Sequence, residues 1–154
     1  PPGRGWRPAR GTCAAQGSGT ACSVVRRAGR TGRAGGRSAR AGVALDINGD
    51  QYWYGSFVPM NSVSSLVAGY YGNVQRYPFH NPAKGGLSWS GQGRGCNTLT
   101  GWFMVDKARY ELGTLVELEL RFEQRCDNMA PLRGKMRWSA AAVPVSSMRG
   151  PLVF

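Results

Sequence analysis

The chain has 154 residues, of which 42% are hydrophobic, and carries a formal net charge of +12 at pH 7. This length is enough for one domain with its own core. No apolar run approaches the ~18 residues of a membrane-spanning helix, so we expect no membrane span. The charge is unevenly placed: residues 1–42 hold nine arginines and no acid, whereas residues 43–154 hold 11 basic and 8 acidic residues, giving +9 and +3.

Residues 1–42 contain no Leu, Ile, Phe, Tyr or Met. Burying so little apolar surface cannot offset the entropy of ordering about 40 residues, which favours a disordered Arg/Gly/Ala-rich tail. Two other interpretations stay open: an ordered element, or a mis-started or frame-shifted segment, since GC-rich DNA yields these residues in almost any reading frame. The segment lacks the apolar run of a signal peptide. Its two cysteines, Cys13 and Cys22, are assigned no structural role.

From Val43 onward the pattern indicates strands. Residues 43–47 and 51–58 flank Asn48-Gly49, a strong signal for a two-residue hairpin turn. No segment keeps a helical period for ten residues, and several later segments alternate apolar and polar side chains. The sequence therefore predicts an all-β domain over residues 43–140, an antiparallel β-sandwich or open barrel built from hairpins, followed by a C-terminal tail at 141–154. The later segments with strand character are 69–76, 87–90, 98–106, 117–125 and 133–138.

The polar faces of the last two predicted strands carry opposite charges. Glutamates alternate on one strand and basic residues on the next, so the two rows would pair across a hairpin. A catalytic carboxylate pair is the less favoured interpretation, because it needs two carboxyls across a substrate cleft in unlike surroundings. The residues concerned are Glu117, Glu119 and Glu123 on one strand, and Arg133, Lys135 and Arg137 on the other.

Cys96 and Cys126 lie almost symmetrically about a predicted turn at Leu112. Facing residues of an antiparallel hairpin have numbers of nearly constant sum, which places these cysteines opposite each other and predicts a disulfide. A buried pair of free thiols is the alternative. We expect no metal site, since there is no Cys-x-x-Cys and His80 is the single histidine. We interpret His80 as a surface or turn histidine, and we expect no cofactor.

Two motifs resemble ligand-binding loops but favour simple turns. The residues 46–50 place oxygen side chains at alternate positions, as a calcium loop does, yet Gln51 and Phe57 stand where such a loop needs Gly and Glu. The residues 91–95 are glycine-rich, but a strand pattern follows instead of a helix, so a tight turn is favoured over an anion-binding nest assisted by Arg94.

Exposed aromatic side chains give the candidate ligand-binding surface. Strand parity points Trp53 and Phe57 inward and Tyr52 and Tyr54 outward. Outward aromatics on a sheet can stack on sugars, bases or proline-rich chains. The candidate ligand-binding residues are Tyr52, Tyr54, Arg94 and Trp102, with no catalytic residue.

The stretch from Trp53 to Trp138 resembles a family of small, secreted bacterial β-domains of actinobacterial and myxobacterial type, which has no assigned catalytic or ligand residues. The resemblance implies an extracytoplasmic β-domain with Cys96 bonded to Cys126. Before Val43 the chain departs from the family, whose members carry a further strand segment there. The matching pieces are Trp53 with Phe57 and Pro59, residues 66–70, residues 75–79, residues 86–90, the run Gly91-x-Gly93-Arg94-Gly95-Cys96-Asn97-Thr98-Leu99-Thr100-Gly101-x-Phe103, residues 122–126 and residues 131–134.

Three hypotheses of function follow. The first is a secreted or periplasmic binding or accessory module, not catalytic, whose partner is an extracellular polymer or protein. The second is non-specific nucleic-acid binding by the nine arginines of residues 1–42, which would depend steeply on salt. The third is an enzyme, for which the sequence offers no nucleophile, base or metal set.

Overall fold

In a computed structural model, residues 9–13, 21–27, 42–48 and 51–140 are described, and within them all regular structure is β-strand. The prediction of an all-β domain is confirmed. The strands are β1 Ala9–Cys13, β2 Ala21–Arg27, β3 Gly42–Asn48, β4 Tyr52–Val58, β5 Gly69–Arg76, β6 Gly86–Gly91, β7 Leu99–Glu111, β8 Thr114–Cys126 and β9 Leu132–Ala140.

Strands β3 to β9 form one mixed sheet that curls into a half-barrel, with β3 and β9 at its edges. Strand β2 pairs along β3 and β1 pairs with both β2 and β9, which closes the barrel. Two strands, Ala9–Cys13 and Ala21–Arg27, thus lie within the segment for which the composition favours a disordered tail. Strand pairing uses backbone N–H and C=O groups, so a segment poor in apolar residues can still cover open sheet edges. Gly42 begins β3, and the rest of that tail, together with the predicted tail at 141–154, lies outside the described residues.

The expected hairpin of β3 and β4 is present, with Asn48 facing Tyr52 and Val43 facing Phe57. The expectation of a purely antiparallel sheet is wrong at one place, because β5 and β6 run parallel. Parity alone cannot distinguish the two directions, since side chains alternate in both. The compact loop 77–85 brings the chain back beside the last residues of β5, where β6 begins. Only a few backbone hydrogen bonds join the two described segments there.

The core fills the barrel from its concave side. Phe57 is at its centre, with ring centroids 5.4 Å from Phe103, 5.5 Å from Phe122 and 6.1 Å from Trp89. The predicted inward direction is confirmed for Phe57, which is buried, and Trp53 packs against the core while only partly buried. The buried members include Val43, Leu45, Phe57, Leu87, Trp89, Leu99, Phe103, Val105, Leu118, Leu120, Phe122, Met136 and Trp138.

The loop between β4 and β5 contributes to one side of this core. Leu66 is fully buried. The hydroxyl of Tyr110 donates to the carbonyl of Leu66 at 2.8 Å, and the hydroxyl of Tyr71 donates to the carbonyl of Val67 at 2.9 Å. Two tyrosine side chains therefore hold the loop backbone against the barrel.

Two indole rings cover glycines on the neighbouring strand. A Cβ atom on Gly91 would lie 2.5 Å from the Trp53 ring, and one on Gly55 would collide with the Trp89 ring. The missing side chains let both rings lie flat on the backbone, which brings them parallel, with centroids 6.4 Å apart and planes 7° apart. Aromatic coverage compensates for the weak packing of glycine in a strand.

The charged outer face agrees in part with the prediction. Arg137 pairs with Glu119 at 2.7 Å and Arg133 with Glu123 at 2.8 Å, as expected. Glu117 instead meets basic residues of β7, because the register places it opposite Arg109 on that side and opposite Ser139 on the other. In these pairs the arginines are exposed, whereas the three glutamates keep only 11–23% of their side-chain surface exposed. Ion pairs at a protein surface contribute roughly 0–1 kcal/mol each.

Candidate binding cleft

The disulfide predicted from the sequence is present, although the two cysteines do not face each other in the ladder. Cys126 at the end of β8 faces Leu99, the first residue of β7, and Cys96 precedes that strand. The Cα atoms of Cys96 and Cys126 are 5.1 Å apart. The bond therefore ties a loop, not a strand, to the end of β8; residues 92–98 are called here the disulfide loop.

Asp127 ties the same loop at a second point. Its carboxylate accepts hydrogen bonds from the backbone N–H of Asn97 at 3.1 Å, the N–H of Thr98 at 2.8 Å and the hydroxyl of Thr98 at 2.7 Å. The Thr98 hydroxyl, followed by the two backbone N–H groups and the charge of Arg76, lowers the pKa of Asp127. Three donors on one carboxylate, directly after Cys126, fix the course of the loop.

A cleft of about 440 Å³ opens between the disulfide loop and the strands β4 and β6. Such a volume lies within the range of small-molecule sites. The cleft lies beside the end of the short β5–β6 pairing, which stops at Leu87. The lining residues are Tyr54, Arg76, Tyr77, Ser88, Trp89, Ser90, Gly95, Cys96, Asn97 and Leu99.

Gln124 stabilises the backbone beneath this cleft. Its side chain is 2% exposed and donates from Nε2 to the carbonyl of Trp89 at 2.7 Å, while Nε2 lies 3.5 Å from Sγ of both bonded cysteines. A carbonyl of β6 is thus satisfied by a side chain from β8. The residue facing Gln124 is Gly101, where a Cβ atom would collide with the carbonyl oxygen of Glu123.

Arg76 supplies the formal charge of the cleft. Among the described residues that line it, Arg76 is the one with an ionised side chain, and it forms no salt bridge with any described residue. One guanidinium nitrogen donates to the carbonyl of Asn97 at 3.1 Å, and the guanidinium carbon lies 5.2 Å from the ring centroid of Phe79. Both contacts orient the guanidinium. A guanidinium has five N–H donors in total, and the bond to the Asn97 carbonyl uses one of them.

The structure places one of the four candidate ligand-binding residues at this cleft. Tyr54 lines it and is 48% exposed. Tyr52 stacks on Tyr54 with centroids 5.6 Å apart, and its hydroxyl donates to Asp46 at 2.9 Å, which raises the pKa of Tyr52. Trp102 packs on Tyr70 instead.

Arg94, the fourth candidate, belongs to a tight turn. Its backbone N–H donates to the carbonyl of Gly91 at 2.9 Å, and Gln92 and Gly93 have φ angles of 51° and 71°. The prediction of a turn at this glycine run is confirmed. Arg94 itself is not among the residues that line the cleft.

Sequence reasoning missed Arg76, Asn97 and Gln124. A signal existed for Gln124, since it occupies the inward parity of β8 after Leu120 and Phe122, where a polar residue needs a hydrogen-bond partner. The cleft residues Arg76 and Asn97 carried no such signal, because their proximity depends on how β5 and the disulfide loop meet in space.

His80 lies in a loop, as expected, but it is buried, with 7% of its surface exposed. Gly86 makes the space, since a Cβ atom there would lie 2.7 Å from Nδ1 of His80. The imidazole packs on Tyr77 with centroids 5.5 Å apart. The prediction of a surface position is therefore wrong.

The metal-site and membrane-span findings concern residues 9–13, 21–27, 42–48 and 51–140. These residues contain no group of three or more His, Cys, Asp or Glu side chains placed to hold a metal ion. Across the same residues, no helix has the length and hydropathy needed to cross a membrane.

Comparison of the chain with protein-family models, with curated proteins and with solved structures finds no match.

Proposed function

We propose that the protein is an extracytoplasmic, non-catalytic binding module that holds an extracellular polysaccharide in the cleft beside the disulfide loop. The observation that carries this proposal is the exposed ring of Tyr54 at a cleft of about 440 Å³. Sugar rings present C–H faces that stack on aromatic side chains and hydroxyl groups that bond to polar ones.

The cleft offers both kinds of contact. Tyr54 faces Ser90 across the β4–β6 ladder, so the aromatic ring and a hydroxyl lie on adjacent strands. Ser88 and Tyr77 add further hydroxyls, and Asn97 adds an amide. Rigid β-strands and a doubly tied loop present these groups, which reduces the ordering cost of binding.

The extracytoplasmic setting is supported by the Cys96–Cys126 disulfide. Disulfides persist in oxidising compartments and are rare in the cytosol. The resemblance to small secreted bacterial domains points the same way.

The test is polysaccharide binding by the full chain, measured by glycan array and then by calorimetry with the best oligosaccharide. We expect Tyr54→Ala to weaken binding roughly fivefold or more, since aromatic stacking contributes about 1 kcal/mol. Tyr70→Ala is the matched control, because Tyr70 is 62% exposed but packs on Trp102 outside the cleft lining. Loss of binding in the control with retention in Tyr54→Ala would move the site elsewhere.

A further inference from the structure

The described lining of the cleft has an unbalanced positive charge. Arg76 is its one ionised member, and the carboxylate near it, Asp127, is outside the lining and already accepts three hydrogen bonds from the disulfide loop. Asp127 reduces the positive electrostatic potential near Arg76, but none of the residues that line the cleft carries a negative charge. A ligand group that enters here therefore meets donors and a positive charge.

The guanidinium of Arg76 is also pre-oriented. Its bond to the Asn97 carbonyl and its position over the Phe79 ring restrain the side chain. The disulfide and Asp127 fix the Asn97 backbone in turn. A guanidinium held in this way loses less conformational entropy when it binds a planar or tetrahedral oxyanion. The hydrogen bonds it then forms are charge-assisted and about twice as strong as neutral ones.

We propose that the cleft selects acidic saccharides, whose carboxylate or sulfate oxyanion binds to Arg76 while the sugar ring stacks on Tyr54. The inference rests on the proposed function and names its ligand class. The hydroxyls of Ser88 and Ser90, alternate residues of β6, lie in the lining shared by Tyr54 and Arg76 and are placed to bond to the ring hydroxyls.

The experiment compares trigalacturonate with its methyl ester, which differ in the oxyanion alone, and adds a sulfated saccharide of another backbone. Binding of trigalacturonate, its methyl ester and a sulfated carrageenan oligosaccharide is measured by calorimetry with the full chain at low and at moderate salt. We expect an acidic probe to bind at least about tenfold more tightly than the neutral ester, with an affinity that falls as salt rises. The carrageenan oligosaccharide, measured against its desulfated form, tests sulfate as the oxyanion in the same way.

Variants assign the effect to the cleft. Arg76→Gln should abolish the preference for the acidic probe, whereas Lys84→Gln, which removes the same charge from an exposed position outside the lining, should keep it. Arg76→Lys should retain part of the preference, because it keeps the charge but loses the planar fork. If Arg76→Gln does not fold, the comparison of trigalacturonate with its methyl ester and the binding measured for Arg76→Lys still test the role of Arg76.

Two results would overturn the inference in distinguishable ways. Equal binding of each acidic saccharide and its neutral form, all weakened by Tyr54→Ala, would leave polysaccharide binding in place and remove the role of Arg76. Absence of binding to every acidic and neutral saccharide would remove the proposed function together with the inference.

Discussion

At the scale of single residues, Asp127 controls the disulfide loop through hydrogen bonds that need its ionised form. Its folded-state pKa is lowered, so its contribution to stability is present above the unfolded pKa of about 3.9 and is lost as pH falls through the folded pKa. An amide in its place would offer one acceptor oxygen and an NH₂ group facing donors. The loop is therefore expected to open in acid.

We predict that Asp127→Asn speeds amide hydrogen exchange at Asn97 and Thr98 near neutral pH. The difference from the parent chain should shrink only as pH falls through the lowered folded-state pKa of Asp127, where the parent carboxylate also becomes protonated. Asp106→Asn removes the same charge from the outer face, where Asp106 contacts Arg121, and is expected to leave the loop amides unchanged. Equal exchange in all three chains would show that the disulfide alone holds the loop.

Gly101 has a steric role, because it lies against the backbone of β8. We predict that Gly101→Ala lowers the free energy of unfolding by roughly 1–3 kcal/mol, because its Cβ atom would press on the backbone of β8 at Glu123. Gly95→Ala is the control, since a Cβ atom there would meet only Ser90 at 3.8 Å. Denaturant unfolding of both variants measures the difference, and equal stability would mean that β8 relaxes without cost.

At the scale of elements, the disulfide joins β8 to the loop that borders the cleft. We predict that replacing both cysteines, Cys96→Ser with Cys126→Ser, destabilises the fold by roughly 3.5 kcal/mol in the chain-entropy model, since the bond closes a sequence separation of 30 residues. The measurement is thermal and denaturant unfolding of the double variant against the parent chain.

Loss of the disulfide should also weaken ligand binding by the cleft, because Asn97 and its contact with Arg76 would be less fixed. The reduced parent chain is the matching control, and it should behave like the double variant. Unchanged binding in a destabilised chain would show that Asp127 is sufficient to form the cleft wall.

The long hairpin of β7 and β8 agrees with the sequence prediction in its turn and its side-chain parity but differs from it in register. Its turn at Leu112 and Gly113, both with positive φ, agrees with the predicted turn, and the inward parity on both sides is confirmed. Its register shifts near Val105 and Arg109 could not be predicted, because a bulge changes facing partners without changing composition. The two shifts cancel, so Cys126 faces Leu99 in the register that Glu111 and Thr114 set at the turn, and its disulfide partner Cys96 lies beyond the strand.

At the scale of the whole molecule, β1 and β2 close the barrel between β3 and β9. If residues 1–42 were a disordered tail, as their composition favours, their removal would leave the stability of the fold unchanged. We now predict that a chain beginning at Gly42 unfolds at a lower temperature and self-associates, because two sheet edges lose their backbone partners. Thermal unfolding and light scattering check this, and a monomer with an unchanged midpoint would contradict it.

Nucleic-acid binding by the arginines of residues 1–42 stays a prediction at this scale. If those arginines neutralise phosphates, the full chain binds duplex DNA without sequence preference and the logarithm of its affinity falls steeply with the logarithm of salt concentration. Fluorescence anisotropy across salt concentrations measures this slope. Tight, salt-resistant binding would instead favour stacking on exposed aromatic residues.

The sequence by itself determined the local features of this protein: strands from alternation, the hairpin of β3 and β4 from Asn48-Gly49, the turn at Gly91, and the pairing of Cys96 with Cys126. Each depends on residues that are close in sequence or on one long hairpin. Only the tertiary structure decided the parallel β5–β6 contact, the closure by β1 and β2, and the meeting of Tyr54 with Arg76. Those depend on backbone hydrogen bonds and on the path of strands through space, which side-chain pattern does not encode.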